Sequence, residues 1–336
     1  MKDASSRFAH IPWRWVTYSL LIVVVLLWLL GWILSKEPEQ FSVQQAVEQQ
    51  AQQLKLEPVK GFATTTAVIR VTNTLTDKRG GYMSNDILPP TSLLDNIPAW
   101  EFGVIQMTRD ILLSLRNDFS RSQSQSVENP NLTTAQPAMN IDHQSWFAPT
   151  AENEYQTVVN ELSQYRLALA DPNDHSAQFY ARSDNLRLYI QEVDKRLGSL
   201  SRRLSASVAR VETDVSLAGD VSSSQSTPTP QVMNSKTSWW EIDNVFYEAR
   251  GASWAVLHYL KAVELDFADV LNNKNALISL QQIIKELESS QQAIWSPMVL
   301  NGSGFGLLAN HSLVMANYLS RANAALIDLR NLLAEG

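Results

Sequence analysis

The sequence predicts an all-α protein: one N-terminal transmembrane helix followed by an antiparallel helical bundle with coiled-coil-like packing. Three observations carry this. Val16–Leu34 is a nineteen-residue run without a charge. Beyond it, apolar residues recur at alternating three- and four-residue spacing in five long stretches, which keeps one seam facing a partner helix. Glycine and proline number only 12 and 13 in 336 residues, too few for a turn-rich all-β chain.

Val16–Leu34 read as a helix spans roughly 28 Å, close to the hydrocarbon thickness of a bilayer. Trp13, Trp15 and Trp32 flank it, where indole rings prefer the interface. A cleaved signal peptide would have a shorter apolar core and a small-x-small site after it. Here LSKEPEQF follows, so the segment reads as an uncleaved anchor that places residues 16–34 in the lipid bilayer. Lys2, Arg7 and Arg14 precede the span against one Asp3, so residues 1–15 are expected in the cytoplasm and the rest across the membrane. In a Gram-negative cell that is a single-pass inner-membrane protein with a periplasmic domain. The chain has 27 basic and 34 acidic residues. Less those three and that one, 24 and 33 remain beyond the span, a net of −9 that anionic lipid repels.

The remaining elements follow in order. Residues 35–57 are glutamine-rich, with Phe41, Val47 and Leu54 widely spaced, and read as a solvated helical stalk. Residues 58–119 form a first helical part. Within it, 62–79 is ambiguous: threonine and valine favour a strand, whereas Gly80-Gly81 is a helix C-cap signal, and helix is the reading taken. Residues 98–119 start with Pro98 near the first turn and are apolar on two sides, as in a central helix. Segments 120–149 and 212–237 read as polar loops, because their Ser, Gln, Thr, Asn and Pro runs at 120–138 and 213–237 bury too little to offset ordering. Residues 150–211 form a helical hairpin turned by Asp171-Pro172-Asn173-Asp174. Residues 238–336 complete the same bundle, with seams through Ile242–Val270, Leu277–Ile294 and Leu308–Leu332.

Four blocks, GGYMSNDILPP (80–90), NIPAWEFG (96–103), WWEIDNVFYEARG (239–251) and NHSLVMANYLSRANAALIDLRNLL (310–333), resemble a family of uncharacterised proteobacterial inner-membrane proteins known only as a domain of unknown function. The resemblance extends over nearly the whole chain apart from the two polar loops. It implies a single-pass membrane protein of a Gram-negative bacterium. It implies no activity and carries over no functional residue.

Composition removes several chemistries. With no cysteine there is no thiolate nucleophile, no Cys-ligated metal and no disulfide. A net charge of −7 argues against nucleic-acid binding. Histidines at 10, 143, 175, 258 and 311 match neither H-x-x-x-H nor H-E-x-x-H, so no metal site is expected. Asn301–Gly306 is glycine-rich but lacks dinucleotide or P-loop spacing, so no cofactor is expected either and a turn between helices explains it.

What remains is weak. Glu101 beside Trp100, and Glu248 beside Trp239 and Trp240, are candidate paired carboxylates over an aromatic sugar platform. Glu241 and Asp243 are explained by the start of their helix. His311 falls on an apolar seam and, with Trp239, Trp240 and Arg250, is a candidate ligand contact; a core histidine bonded to a neighbour is the simpler reading. The loop 80–90 is either packed down or presented as a binding edge, and Tyr82, Met83, Ile87 and Leu88 favour packing. The expected function is a non-enzymatic, membrane-anchored scaffold or adaptor binding another cell-envelope protein. The alternatives are a periplasmic enzyme on cell-wall glycan using Glu101 and Glu248, and a ligand-sensing bundle with a pocket around His311.

Overall fold

The computed structural model describes residues 13–122, 127–208, 210–213, 232–296, 298–303 and 307–335. Helix α1 (Trp13–Leu34) has mean hydropathy 2.4 over its most apolar stretch and is open along nearly its whole surface. Its length and composition fit a membrane anchor or a signal sequence. Gly31 is its buried residue and faces Leu94.

Helix α2 (Val43–Leu54) corrects the solvated stalk. Ser42 caps it, its hydroxyl accepting the Gln45 N–H at 3.3 Å. Val43, Ala46, Val47 and Ala51 form a buried stripe against the helices that follow. The apolar side chains are small and lie between glutamines, yet they share one face, so the helix folds back on the body.

Helix α3 (Phe62–Asp77) settles the ambiguous segment as helix. Its buried threonines are satisfied within the helix or by neighbours. Thr65 and Thr72 donate to the Gly61 and Val68 carbonyls at 2.7 and 2.8 Å. The Thr64 hydroxyl and N–H both donate to Asp266, at 2.6 and 2.7 Å. Helix α4 (Asn96–Ser114) continues through one wide turn, Leu115–Phe119, and is buried on two sides as its pattern predicts.

The first polar segment is not a loop throughout. Residues 123–126 lie outside the described residues, but Pro130–Met139 forms α5. The Asn129 side chain accepts the N–H groups of Asn131 and Leu132, and Pro130 occupies the first turn. Leu132, Ala135 and Met139 then enter the core. Of the second polar segment, 214–231 lie outside the described residues. Its flanks, β1 (Arg210–Thr213) and β2 (Val232–Ser235), pair antiparallel with Arg210 opposite Ser235. Elsewhere the described residues are helical or irregular.

Helices α6 (Ala151–Ala170) and α7 (Ser183–Ser205) bury their seams, Tyr155, Val158, Leu162 and Tyr165 in one and Leu186 through Leu204 in the other. The seam starting at Ile242 is α8 (Ile242–Asp266), which breaks at Phe267 into the short α9 (Ala268–Asn273). Helices α10 (Leu277–Ser290) and α11 (His311–Ala334) follow. Leu308 lies before α11 and is exposed.

Helix α8 is the centre. Every residue from Ala249 to Leu260 is buried, and α3, α4, α7 and α10 pack around it. The crossing with α4 is closest because each helix presents a glycine. A Cβ on Gly251 would stand 2.0 Å from the Trp100 carbonyl oxygen, and one on Gly103 would stand 2.1 Å from that of Glu248. Several polar groups drawn into this centre are paired: the Tyr259 and Thr108 hydroxyls meet at 2.6 Å, and Ser253 donates to the Ala249 carbonyl, whereas the indole N–H groups of Trp100 and Trp254 are buried without a partner.

Candidate functional site

The end of the domain where α8 begins gathers Glu101, Glu248, Trp239, Trp240, Arg250 and His311, but it divides them. Glu101 projects from α4 into the interior and is fully buried. Lys78 approaches its Oε1 at 2.5 Å with a side chain only 4% exposed. The Met83 and Ser84 N–H groups donate to its two oxygens at 2.9 and 2.8 Å, and the Ser84 hydroxyl donates as well. Lys78 also donates to the Gly81 carbonyl. Burial pushes the Glu101 carboxyl up, while Lys78, Ser84 and Met83 pull against that shift.

Glu101 is thus the post around which the turn from Lys78 to Ser84 is wound. Gly80 and Gly81 supply the positive φ values, 84° and 71°, that the turn needs. The loop beyond divides between the two expectations for it. Tyr82 and Met83 are buried, and the Tyr82 hydroxyl donates to the His143 carbonyl at 2.7 Å. Ile87 and Leu88 are exposed.

Glu248 lies on the far side of this turn, in an open cleft of about 550 Å³ lined also by Asp86, Asp95, Phe102, Glu241 and Arg203. Arg203 grips Glu248 with two bonds of 2.6 and 2.7 Å, which raises the guanidinium above its ordinary range. Glu101 does not line the cleft, because Met83 and Ser84 stand there and occupy its oxygens. Trp100 is no platform either: it is buried against Trp254, ring centres 5.2 Å apart. The two-carboxylate arrangement therefore lacks its buried member. Trp239 and Trp240 are exposed and meet edge to face at 4.8 Å.

Arg250 is not free to take a ligand. Its Nε and Nη2 bond Glu37, just past α1, at 2.7 and 2.5 Å, and Nη1 donates to the Ser290 and Gln292 carbonyls at 3.1 and 3.0 Å. Its guanidinium lies over the Phe246 ring, 5.8 Å from the ring centre.

His311 stands at the start of α11, half-buried. Its Nδ1 accepts the Leu300 N–H at 3.1 Å, so that nitrogen is the unprotonated one. Burial and the nearby Arg250 lower its basicity. It lines a cavity of about 430 Å³ between α8, α10 and α11, with Phe246, Ile294, Trp295, Met315 and Tyr318. Among the described residues, no group of three or more His, Asp or Glu side chains is placed to hold a metal ion.

Sequence reasoning missed Lys78, Ser84, Arg203 and Glu37, the partners that decide what the acidic residues and Arg250 do. Lys78 and Glu101 are far apart in the chain, and Glu37 and Arg250 are 213 residues apart. No local spacing signals such pairs.

The family model of DUF2333, an uncharacterised protein conserved in bacteria, matches residues 7–336, and the chain belongs to that family. The match extends through both polar segments. No curated protein and no solved structure matches the chain.

Proposed function

We propose that this member of the family is a single-pass inner-membrane protein whose helical domain lies in the periplasm and acts as a scaffold or adaptor. In this reading it binds an apolar segment of another envelope protein and performs no catalysis. Its helices would form the antiparallel, coiled-coil-like bundle that the seams predict. The anchor reading rests on α1 and on the basic residues that precede it. The domain is tied to that anchor by Glu37 on Arg250, which suits a protein that holds a partner at a fixed place above the membrane.

The observation that carries the adaptor reading is the cavity between α8, α10 and α11. Its walls are Phe246, Ile294, Val314, Met315 and Tyr318, and Trp295 stands at its mouth 97% exposed. An aromatic anchor beside an apolar cleft is the common form of a protein-binding hot spot. A volume of about 430 Å³ also suits a small ligand, which supports the sensing reading with His311 at the wall.

A photo-crosslinking amino acid at Val314, activated in intact cells, tests this. A discrete adduct with one envelope protein, lost in a Tyr318→Glu variant that still folds, is the expected result. Absence of any protein adduct, together with a small molecule that co-purifies and raises the melting temperature, would replace the adaptor with the sensor.

A further inference from the structure

Helix α8 gives the domain an axis. At about 1.5 Å per residue its 25 residues span roughly 37 Å. Its last turn lies at one end, where Asp266 takes the Thr64 bonds and Phe267 packs on Phe119. Its first turns lie at the other end, where α1 arrives. Glu37 bonds Arg250, Gly31 faces Leu94, and a Cβ on Gly80 would meet Leu34 at 2.9 Å. From there the chain runs along α8, because the Phe41 N–H reaches His258. The bilayer that α1 would enter therefore lies beyond the N-terminal end of α8.

The exposed apolar side chains concentrate at that same end. Ile87 and Leu88, at 62% and 72% exposed, lie on the loop that touches α1. The segment bearing Trp146 and Phe147 is tied to the loop by Asn85, whose amide donates to the Ser145 carbonyl. Trp239 and Trp240 precede α8, and Glu241 shares a cleft with Asp86 and Leu94. Among the described residues outside α1, the exposed tryptophans are Trp146, Trp239, Trp240 and Trp295; the first three border the exit of α1, while Trp295 belongs to the cavity between α8, α10 and α11 and is no part of this rim. Lys36 lies over the Trp32 ring at 4.7 Å, a pairing of cation and indole suited to the headgroup level. At the opposite end the exposed apolar residues include Ile278, 80% open at the start of α10, and Val127, 95% open beside Glu128, neither of them aromatic.

We propose that this tryptophan-rich rim around the exit of α1 is a bilayer-contact surface, its side chains seated at the headgroup–acyl boundary of the leaflet from which α1 emerges. The inference rests on α1 being a membrane anchor. Continuity decides the occupant: the rim is contiguous with the end of α1, so seating the anchor brings these side chains to the interface. Tryptophan is the residue type that this layer favours. The contact is apolar in kind, since Asp86, Asp95 and Glu241 lie nearby and the domain is acidic. The rim holds the domain upright on the membrane, with Ile278 pointing away.

The chain has no cysteine, so single-cysteine labelling needs no background changes. The full-length protein is reconstituted into phosphatidylcholine vesicles containing lipids with a nitroxide near the headgroup and, in a second set, lipids with a nitroxide deep in the acyl chain, because Leu26 lies near the middle of α1. Fluorophores are placed through Leu88→Cys, Trp240→Cys, Ile278→Cys and Leu26→Cys, all at exposed positions that tolerate change. The expected result is that Leu88→Cys and Trp240→Cys lose about half or more of their emission to the headgroup nitroxide and Leu26→Cys to the acyl-chain nitroxide, while Ile278→Cys is unaffected by either. Quenching at Leu26→Cys with none at Leu88→Cys and Trp240→Cys would overturn the rim and leave the anchor standing. No quenching at Leu26→Cys would overturn the anchor and the rim with it. Equal quenching at Ile278→Cys would show a domain lying on the surface without orientation, and would also overturn the proposal.

Discussion

The backbone N–H of Phe41 donates to Nε2 of His258 at 3.1 Å, across 217 residues of chain. The other ring nitrogen, Nδ1, faces the Trp254 carbonyl at 2.7 Å. These two contacts fix the tautomer: Nδ1 carries the proton and Nε2 accepts. The ring is stacked on Phe41 at 4.0 Å and lies within 4.4 Å of Trp254, so it is sealed in the core where the segment after α1 meets α8.

That arrangement has a pH consequence. Burial lowers the His258 pKa from 6.5 to about 4, and the positive charges of Lys261 and Arg70 add to the shift. The unfolded chain therefore binds this proton more readily than the folded one between those values. Stability from His258 is fully present above pH 6.5 and is lost as pH falls toward 4, by about 3 kcal/mol at most. Urea unfolding at a series of pH values should show this slope, and the His258→Gln protein should show a flatter one. Equal slopes would mean that the ring is hydrated.

Removing the charge of Glu101 should loosen the turn that it organises. Glu101→Gln leaves Lys78 buried without its counter-charge, and should cost about 3–5 kcal/mol. Proteolysis should then cut near 80–90 first. Adding Lys78→Met should recover a large part of the loss, because the stranded ammonium is gone. No recovery would show that the hydrogen bonds from Ser84 and Met83 carry the turn without the ion pair.

The α4–α8 crossing depends on two missing side chains. Gly251→Ala places a methyl 2.0 Å from the Trp100 carbonyl oxygen, so the helices must separate, at a cost on the order of 2 kcal/mol or more. Gly198→Ala in α7 meets nothing nearer than the Asn323 side chain at 3.4 Å. It should be neutral or stabilising by up to about 1 kcal/mol through helix propensity. Melting temperatures of the two variants compare the effects directly, and equal losses would contradict the close crossing.

Orientation is testable in cells. A C-terminal alkaline phosphatase fusion should be active and a C-terminal green fluorescent fusion dark, from the basic residues before α1. The opposite pattern would place the domain in the cytoplasm.

Helix periodicity is a local property, and it was legible. The seams of α6, α7 and α8 appear in the sequence at their observed spacing, because a helix buries the side chains that its own period lines up. The apolar run of α1 is legible for the same reason. Composition hid the burial of α2, which reads as a solvated helical stalk, and the very existence of α5. In α2 the glutamines mask a stripe of small apolar residues, and in α5 the polar residues mask Leu132, Ala135 and Met139. In both, a cap residue and the apolar spacing carried the signal that composition obscured. The threonines of α3 favour strand by composition, but the helix reading taken from Gly80-Gly81 is the observed one, and hydroxyls such as those of Thr65 and Thr72 find partners in the preceding helical turn.

The roles of the polar residues were decided by tertiary structure. Glu101 looks from sequence like an acid beside an aromatic, but Lys78, Met83 and Ser84 close over it. Arg250 looks like a ligand contact, but Glu37 and two carbonyls take its donors. The amino-acid sequence by itself determined which segments coil into helices and which one is apolar enough for a membrane, because both depend on neighbours within a turn or two. Only the tertiary structure decided which charges are sealed and which side chains stay exposed around the end of α1. Burial and pairing depend on groups brought together from distant parts of the chain, and their energies are set by desolvation that no local spacing encodes.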